Sequence, residues 1–145
     1  MASTYTIDAS VFLNAFNPHE SGHEISNRFL AQLIQKELLI IVPTLLLPEV
    51  AAAISRGRSD ARLARDFASA LIELPHMIWV PLDMVLSQQA LVLAATHHLR
   101  GSDAVYVATA ARFGSLLITL DHEQRQRVAD VILAKYPYEV LNELT

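Results

Sequence analysis

Four acids of this chain stand where carboxylates can act together: Asp8, Glu49, Asp103 and Asp121. Asp8 ends a β-prone run in which Tyr5 and Ile7 alternate with polar Thr4 and Thr6, Asp121 ends the apolar run Leu116 to Leu120, and each acid directly follows a strongly apolar residue and precedes a helix start. That places both beyond the carboxyl ends of strands, where open parallel sheets collect their binding sites. Glu49 follows Pro48, and proline is tolerated in a helix only near its beginning, so this acid also belongs to a helix N-terminus. Asp103 follows Ser102, which reads as a helix cap. Its neighbours one turn on, Tyr106 and Val107, look core-facing, so the Asp103 carboxylate is expected to point inward at the rim of the sheet. An inward acid needs a partner. No lysine lies near any of the four, whereas Arg100 and Arg112 flank Asp103. The plain reading is four capped or paired acids. The sharper one is a cluster of hard oxygen ligands for Mg²⁺ or Mn²⁺, whose charge relieves a repulsion that otherwise raises at least one carboxylate pKa. The chain carries 11 basic and 15 acidic residues, so the whole net charge of −4 could belong to that site.

Composition removes other chemistries. With no cysteine, the chain has no disulfide framework, thiolate zinc site or cysteine nucleophile. Its glycines, at 22, 57, 101 and 114, never come closer than 13 positions, so neither a Gly-x-Gly-x-x-Gly turn nor a Walker phosphate loop can form. A net negative charge argues against a broad electropositive face for duplex DNA, and any nucleic acid must be held locally. The longest uncharged stretch, Met84 to Leu99, has 16 residues and contains Gln88, Gln89, His97 and His98, too short for a membrane span. Asp8 interrupts the apolar N-terminal stretch, which has no basic start, so no signal peptide is expected and the protein is read as soluble and cytoplasmic. At 145 residues, 52% hydrophobic and 18% charged, it should fold as one domain over 1–145.

The elements that must position the acids follow from periodicity. Thr4 to Asp8, Leu38 to Val42, Met77 to Leu82 and Leu116 to Leu120 read as strands, with Tyr138 to Leu141 as a last edge strand. Runs this uniformly apolar are covered on both faces, as in parallel sheets. Helical patterns fill the intervals: residues 20–36, Thr44 to Arg56, Ser59 to Leu74 with Ser59 as its cap, a helix capped by Asp83, and one running from Asp103 to Phe113 behind the Ser102 cap. Gly114 suits the left-handed position past the last of these. The expected fold class is α/β, a three-layer α/β/α sandwich with a mostly parallel central sheet of four to five strands.

Ile7-Asp8-Ala9-Ser10, Leu47-Pro48-Glu49-Val50, Gly101-Ser102-Asp103-Ala104-Val105-Tyr106-Val107-Ala108 and Leu117-Ile118-Thr119-Leu120-Asp121 resemble the four acidic motifs of PIN-domain nucleases. They occur in order, at spacings of 41, 54 and 18 residues, across nearly the whole chain. The small single domain is similar to that of VapC-like toxins of toxin–antitoxin modules. The resemblance implies that Asp8, Glu49, Asp103 and Asp121 hold one or two Mg²⁺ or Mn²⁺ ions for cleavage of RNA, single-stranded or structured. Asp8 is then the bridging candidate, with Ser10 and Thr119 orienting carboxylates. Many relatives carry asparagine where this chain has Ser10, whose hydroxyl can still bond to a carboxylate or cap the helix. The resemblance also implies an antitoxin protein as partner and a second copy of the chain in a homodimer. The alternative is a catalytically inactive PIN-like module that binds RNA or protein. A haloacid-type phosphatase would want a second acid at Ser10, and a receiver domain would want paired acids near the first strand; neither pattern is present.

Other motifs carry less. His19-Glu20-Ser21-Gly22-His23 matches the His-Glu-x-x-His zinc-protease pattern, but Asn17-Pro18 marks a helix start there and Gly22 weakens the turn, so the match is read as coincidental. His97 and His98 are adjacent, point about 100° apart on a helix and chelate poorly; they are read as a helix end. Arg56, Arg58, Arg62 and Arg65 put four of the 11 bases within ten residues, a solvated face or a seat for RNA phosphates. Arg125 and Arg127 are smaller candidates for that role. The segment Leu45 to Ile54 is apolar almost all round, and with residues 59–74 it could leave apolar surface for the antitoxin or a second copy.

Overall fold

The computed structural model describes residues 4–144, so the outermost residues of the expected 1–145 domain lie outside that range. Strand β1 (Thr4–Ile7) buries Tyr5, Thr6 and Ile7 in succession, as a strand covered on both faces must. It is followed by α1 (Ala9–Phe16), α2 (His23–Gln35), β2 (Leu39–Pro43), α3 (Leu46–Arg58), α4 (Ala61–Ile72) and β3 (Met77–Val80). The second half runs α5 (Met84–His97), α6 (Gly101–Phe113), β4 (Leu116–Ile118), α7 (His122–Arg127), β5 (Ala134–Lys135) and α8 (Pro137–Leu144). The strands form one parallel sheet in the order β3-β2-β1-β4-β5. The chain winds outward from β1 through β2 to β3, then returns across the sheet to β4 on the other side of β1. Right-handed crossovers put the helices of the outward and return paths on opposite faces, which gives the α/β/α sandwich.

On one face α6 crosses β2, β1 and β4, with α5 packed beside it. Val105 to Ala110 of α6 are all buried, so this helix is core on every side. On the other face α2 sets Phe29 edge-on to Tyr5 of β1, their ring centroids 6.4 Å apart, and packs against α1 and α8. Register fixes the central pair: Ile7 lies opposite Ile118, and the Asp8 amide donates to the Ile118 carbonyl at 3.1 Å. The carboxyl ends of β1 and β4, where the winding reverses, therefore lie side by side.

Local details differ from the sequence reading in four places. Tyr138 to Leu141 lies in a helix, α8, and the edge strand is the two-residue β5 before it. Pro137 at the first helical position and the Glu139 carboxylate, which accepts from the Tyr136 amide at 2.9 Å, start that helix, and Val140 and Leu141 bury its inner face. The cap of α4 is Asp60, whose carboxylate accepts from the Leu63 amide at 3.0 Å; Ser59 instead ends α3 in the left-handed region, φ 52°. Helix α6 starts at Gly101, so Ser102 belongs to its first turn rather than to its cap. Residues 18–22 form turns, with α2 starting only at His23, and so Asn17-Pro18 ends α1 rather than beginning a helix. Asp83 caps α5 through the Leu86 amide at 2.9 Å and Gly114 ends α6 at φ 63°, both as the sequence indicated. Among the described residues no helix is long and apolar enough to cross a membrane.

Leu117 is fully buried in β4, so shortening it leaves a cavity: Leu117→Ala should cost about 2–5 kcal/mol in urea denaturation, against about 0.5 kcal/mol or less for Met84→Ala, a residue 71% exposed.

Candidate active site

Each of the four acids is delivered by a strand-to-helix junction or by a first helical turn. Asp8 follows β1 and caps α1, accepting from the Ser10 amide at 3.1 Å and from the Ser10 hydroxyl. Asp121 follows β4 by three residues and caps α7, its Oδ1 accepting from the Gln124 amide at 3.1 Å. Glu49 lies in the first turn of α3 and Asp103 in the first turn of α6. All four side chains line one pocket at the carboxyl edge of the sheet, with Ser10, Arg100, Ser102 and Tyr106. Residues separated by up to 113 positions meet there because the winding reverses between β1 and β4.

Every acid has a protein partner. The Tyr106 hydroxyl donates to Glu49 Oε1 at 2.6 Å, and Ser102 lines the same pocket. Arg100 spans two acids, Nε to Asp103 Oδ2 and Nη2 to Asp121 Oδ2, both at 2.9 Å. Burial shapes the charges. Asp8, 5% exposed, is pushed up from 3.8 to about 6 by desolvation and further by the Asp103 charge, with the Ser10 hydroxyl and amide pulling the other way. Glu49 is also raised by desolvation, an effect reduced by Tyr106. The Tyr106 phenol, buried beside Glu49, is held far above its ordinary range and stays protonated as a donor.

Ser10 and Thr119 occupy the neighbourhood expected of them. The Ser10 hydroxyl donates to Asp8 and accepts from the Leu120 amide at 3.1 Å, tying the start of α1 to the chain leaving β4. Thr119 accepts from the Asp121 amide at 3.0 Å and donates to Gln124 Oε1 at 3.0 Å. Four further residues belong to the site: Tyr106, Arg100, Ser102 and Gln124. Tyr106 was read only as core, though its position one turn beyond Asp103 was a signal that it faces the same way. Arg100 was weighed equally with Arg112, which instead lies over the Phe113 ring at 5.3 Å. Gln124, buried, gave no local signal; its side-chain amide reaches the Asp103 carbonyl at 3.3 Å.

The donor set suits a hard divalent cation: carboxylate oxygens, one of them buried with its charged form disfavoured, so that a cation would relieve the site. Among the described residues, however, no three acids or histidines stand together as a ready-made metal group. The four acids share a pocket while each is held by a neighbour of its own.

The remaining motifs fall outside this pocket. His19 and Glu20 lie in the turns between α1 and α2. Glu20 accepts from the Asn14 side-chain amide at 2.9 Å, while His23 Nδ1 lies 2.9 Å from the Asn14 carbonyl, so the zinc-like match is a structural clamp around buried Asn14. His97 ends α5 and His98 is its left-handed C-cap. Arg125 pairs with Glu139 at 2.8 Å, and Arg127 lies 3.6 Å from Glu123. Arg56 and Arg58 end α3, and Arg62 and Arg65 are exposed on α4.

A parallel sheet with this winding and an acid pocket at its reversal point defines a class, and the sequence matches the PIN domain family model over residues 5–130. The chain belongs to the PIN domain family. Among solved structures it is similar to VapBC2 from Rickettsia felis bound to a promoter DNA fragment, at TM-score 0.70 and 13% identity over 92% of this chain and 98% of that one. It is also similar to VapC20 from Mycobacterium tuberculosis, described as a sarcin-ricin loop cleaving toxin, at TM-score 0.72 and 17% identity over 84% of this chain and 93% of that one. A toxin–antitoxin complex from Klebsiella pneumoniae matches at TM-score 0.65 and 16% identity over 92% and 98%. At these identities the likeness is one of fold. No curated protein matches the chain by sequence.

Because Asp8 is raised, its ionisation opposes folding. The opposition is absent below about 3.8, where both states are protonated, and complete above about 6. In EDTA, Asp8→Asn should therefore raise the unfolding midpoint by a few degrees near neutral pH, with the gain vanishing below about pH 4. Thermal denaturation across pH checks this, and a pH-independent difference contradicts it.

Proposed function

We propose that this protein is a Mg²⁺- or Mn²⁺-dependent endoribonuclease and the toxin half of a toxin–antitoxin pair. The observation that carries the reading is the meeting of Asp8, Glu49, Asp103 and Asp121 in one pocket. Family membership and the fold shared with VapC20 support it.

Asp8, Glu49, Asp103 and Asp121 would hold the ion. Bound there, a divalent cation supplies the positive charge that acidifies an attacking water and offsets the charge building on the phosphate. The chain's own residues do the positioning. Ser10 fixes the rotamer of Asp8, Tyr106 holds Glu49, and Thr119 and Gln124 anchor the turn that presents Asp121.

A path for the RNA backbone leads away from the acids. The pocket shares Ala9, Leu13 and Glu49 with a second cavity bordered by Ala52, Ala53 and Arg56. That cavity shares Leu13 and Ala53 with a third, which ends at Phe16, Gly57 and Arg58. The result is a trench between α1 and α3 with cations at its far end, and the Arg58 guanidinium rests 5.8 Å from the Phe16 ring centroid. Arg62 and Arg65 sit on α4, outside the residues that line it.

An apolar groove lined by Phe12, Leu30, Ile34, Phe67, Leu71 and Leu74 supports an antitoxin partner, as do the toxin–antitoxin assemblies that share the fold. The competing reading, a module that binds RNA or protein without cutting, draws on the lack of a ready-made metal group among the described residues.

Purified protein should cleave RNA in Mn²⁺ or Mg²⁺ and lose activity on Asp8→Asn or Asp103→Asn by at least about a hundredfold. Cleavage that persists in excess EDTA contradicts the metal mechanism, and binding without cleavage in any divalent ion favours the non-cutting module. Replacing Arg56 and Arg58 together should weaken RNA binding and flatten its salt dependence by about one to two charges, while replacing Arg62 and Arg65 should change it less. Binding titrations over a range of salt concentrations read out both slopes.

A further inference from the structure

We propose that Arg100 is the resident counter-cation of the acid pocket: its guanidinium holds Asp103 and Asp121 together in the ion-free protein and is displaced from between them when a divalent cation binds. This rests on the metal-dependent reading above.

The geometry makes arginine and metal competitors for two of the pocket's carboxylate oxygens. Arg100 uses two separate nitrogens, Nε and Nη2, to reach two different carboxylates, each at 2.9 Å and each at Oδ2. The other oxygen of Asp121 is already occupied by the Gln124 amide of α7. A cation ligated by Asp121 Oδ2 would meet the positive guanidinium 2.9 Å from the same atom, so the two charges compete for it. Arg100 is the one basic side chain among the residues that line the pocket. A planar, permanently charged fork can span two acids in a way that an ammonium point charge cannot.

The same arrangement lets Arg100 leave. Its backbone is anchored, its carbonyl accepting from the Ala104 amide at 3.0 Å at the start of α6. Its side chain is 73% exposed, against 17% for Asp103 and 30% for Asp121, so it covers the acids from the solvent side. It can swing away without opening the core. Ion pairs of this exposure are weak enough for a divalent ion to replace. In the ion-free protein the pairing keeps the two acids from repelling each other, so the pocket assembles before the ion arrives.

The test is calorimetric titration of Mn²⁺ into the full chain, wild type against Arg100→Ala and Arg100→Lys, with thermal denaturation in EDTA and in Mn²⁺. Arg100→Ala should bind Mn²⁺ roughly three- to tenfold more tightly than wild type. It should also melt lower in EDTA and gain more from Mn²⁺. Arg100→Lys, which keeps the charge but spans one acid, should fall between and keeps the comparison available if the alanine variant does not fold. Unchanged or weaker Mn²⁺ binding by the folded variants, with wild type binding normally, overturns the role of Arg100 alone. No Mn²⁺ binding by wild type or variant overturns the metal reading with it.

Discussion

Carboxylates that share a half-buried pocket repel one another and lose hydration together, and the architecture around the pocket answers that cost. Each acid sits in the first turn or at the cap of a helix: Asp8 on α1, Glu49 on α3, Asp103 on α6 and Asp121 on α7. Amide dipoles at helix N-termini favour negative charge, so these elements stabilise the groups they carry. The Ser10 hydroxyl, the Tyr106 phenol and the guanidinium of Arg100 take up part of the remaining lone-pair capacity. The compensation is incomplete at Asp8, where burial dominates and the carboxyl stays near 6. That residual strain is what a bound cation would relieve.

The backbone makes this possible through one topological fact. Because the winding reverses at β1, no helix connection covers the carboxyl ends of β1 and β4, and Asp8 and the Thr119–Asp121 segment face a common opening. Ser10 and Gln124 join the two sides of the opening, one through the Leu120 amide and the other through the Asp103 carbonyl. The buried acid is therefore tied to both sides of the opening, while the more exposed pair, Asp103 and Asp121, is held by a solvent-exposed arginine.

Helix α1 links the chemistry to the surfaces that surround it. Its residues Ala9, Leu13 and Phe16 border the trench that leads to Arg56 and Arg58, while Phe12 and Ala15 border the apolar groove against α2 and α4. Under the proposed function, substrate and antitoxin would lie along opposite flanks of the helix that Asp8 caps. A partner pressed against one flank is then mechanically close to the acid on which the pocket depends.

Much of this was legible along the chain. Continuous apolar runs marked three of the five strands and the alternation of Tyr5 and Ile7 with threonines marked β1, and the acids that end two of these strands stood out where the patterns stop. Capping by Asp83 and the left-handed Gly114 were also readable, because both depend on a few adjacent residues. The C-terminal segment was not. Tyr138 to Leu141 has the composition of a strand, and it is helical because Pro137 and Glu139 organise its start and because Val140 and Leu141 bury one face. The choice of Arg100 over Arg112, the Tyr106 bond to Glu49 and the side-chain contacts of Gln124 likewise join elements far apart in the chain. Residue type and local periodicity determined which groups could do chemistry and which segments could be strands or helices. Tertiary structure alone decided which acids share a pocket and which cation stands among them, since those energies depend on distances through space that spacing along the chain does not set.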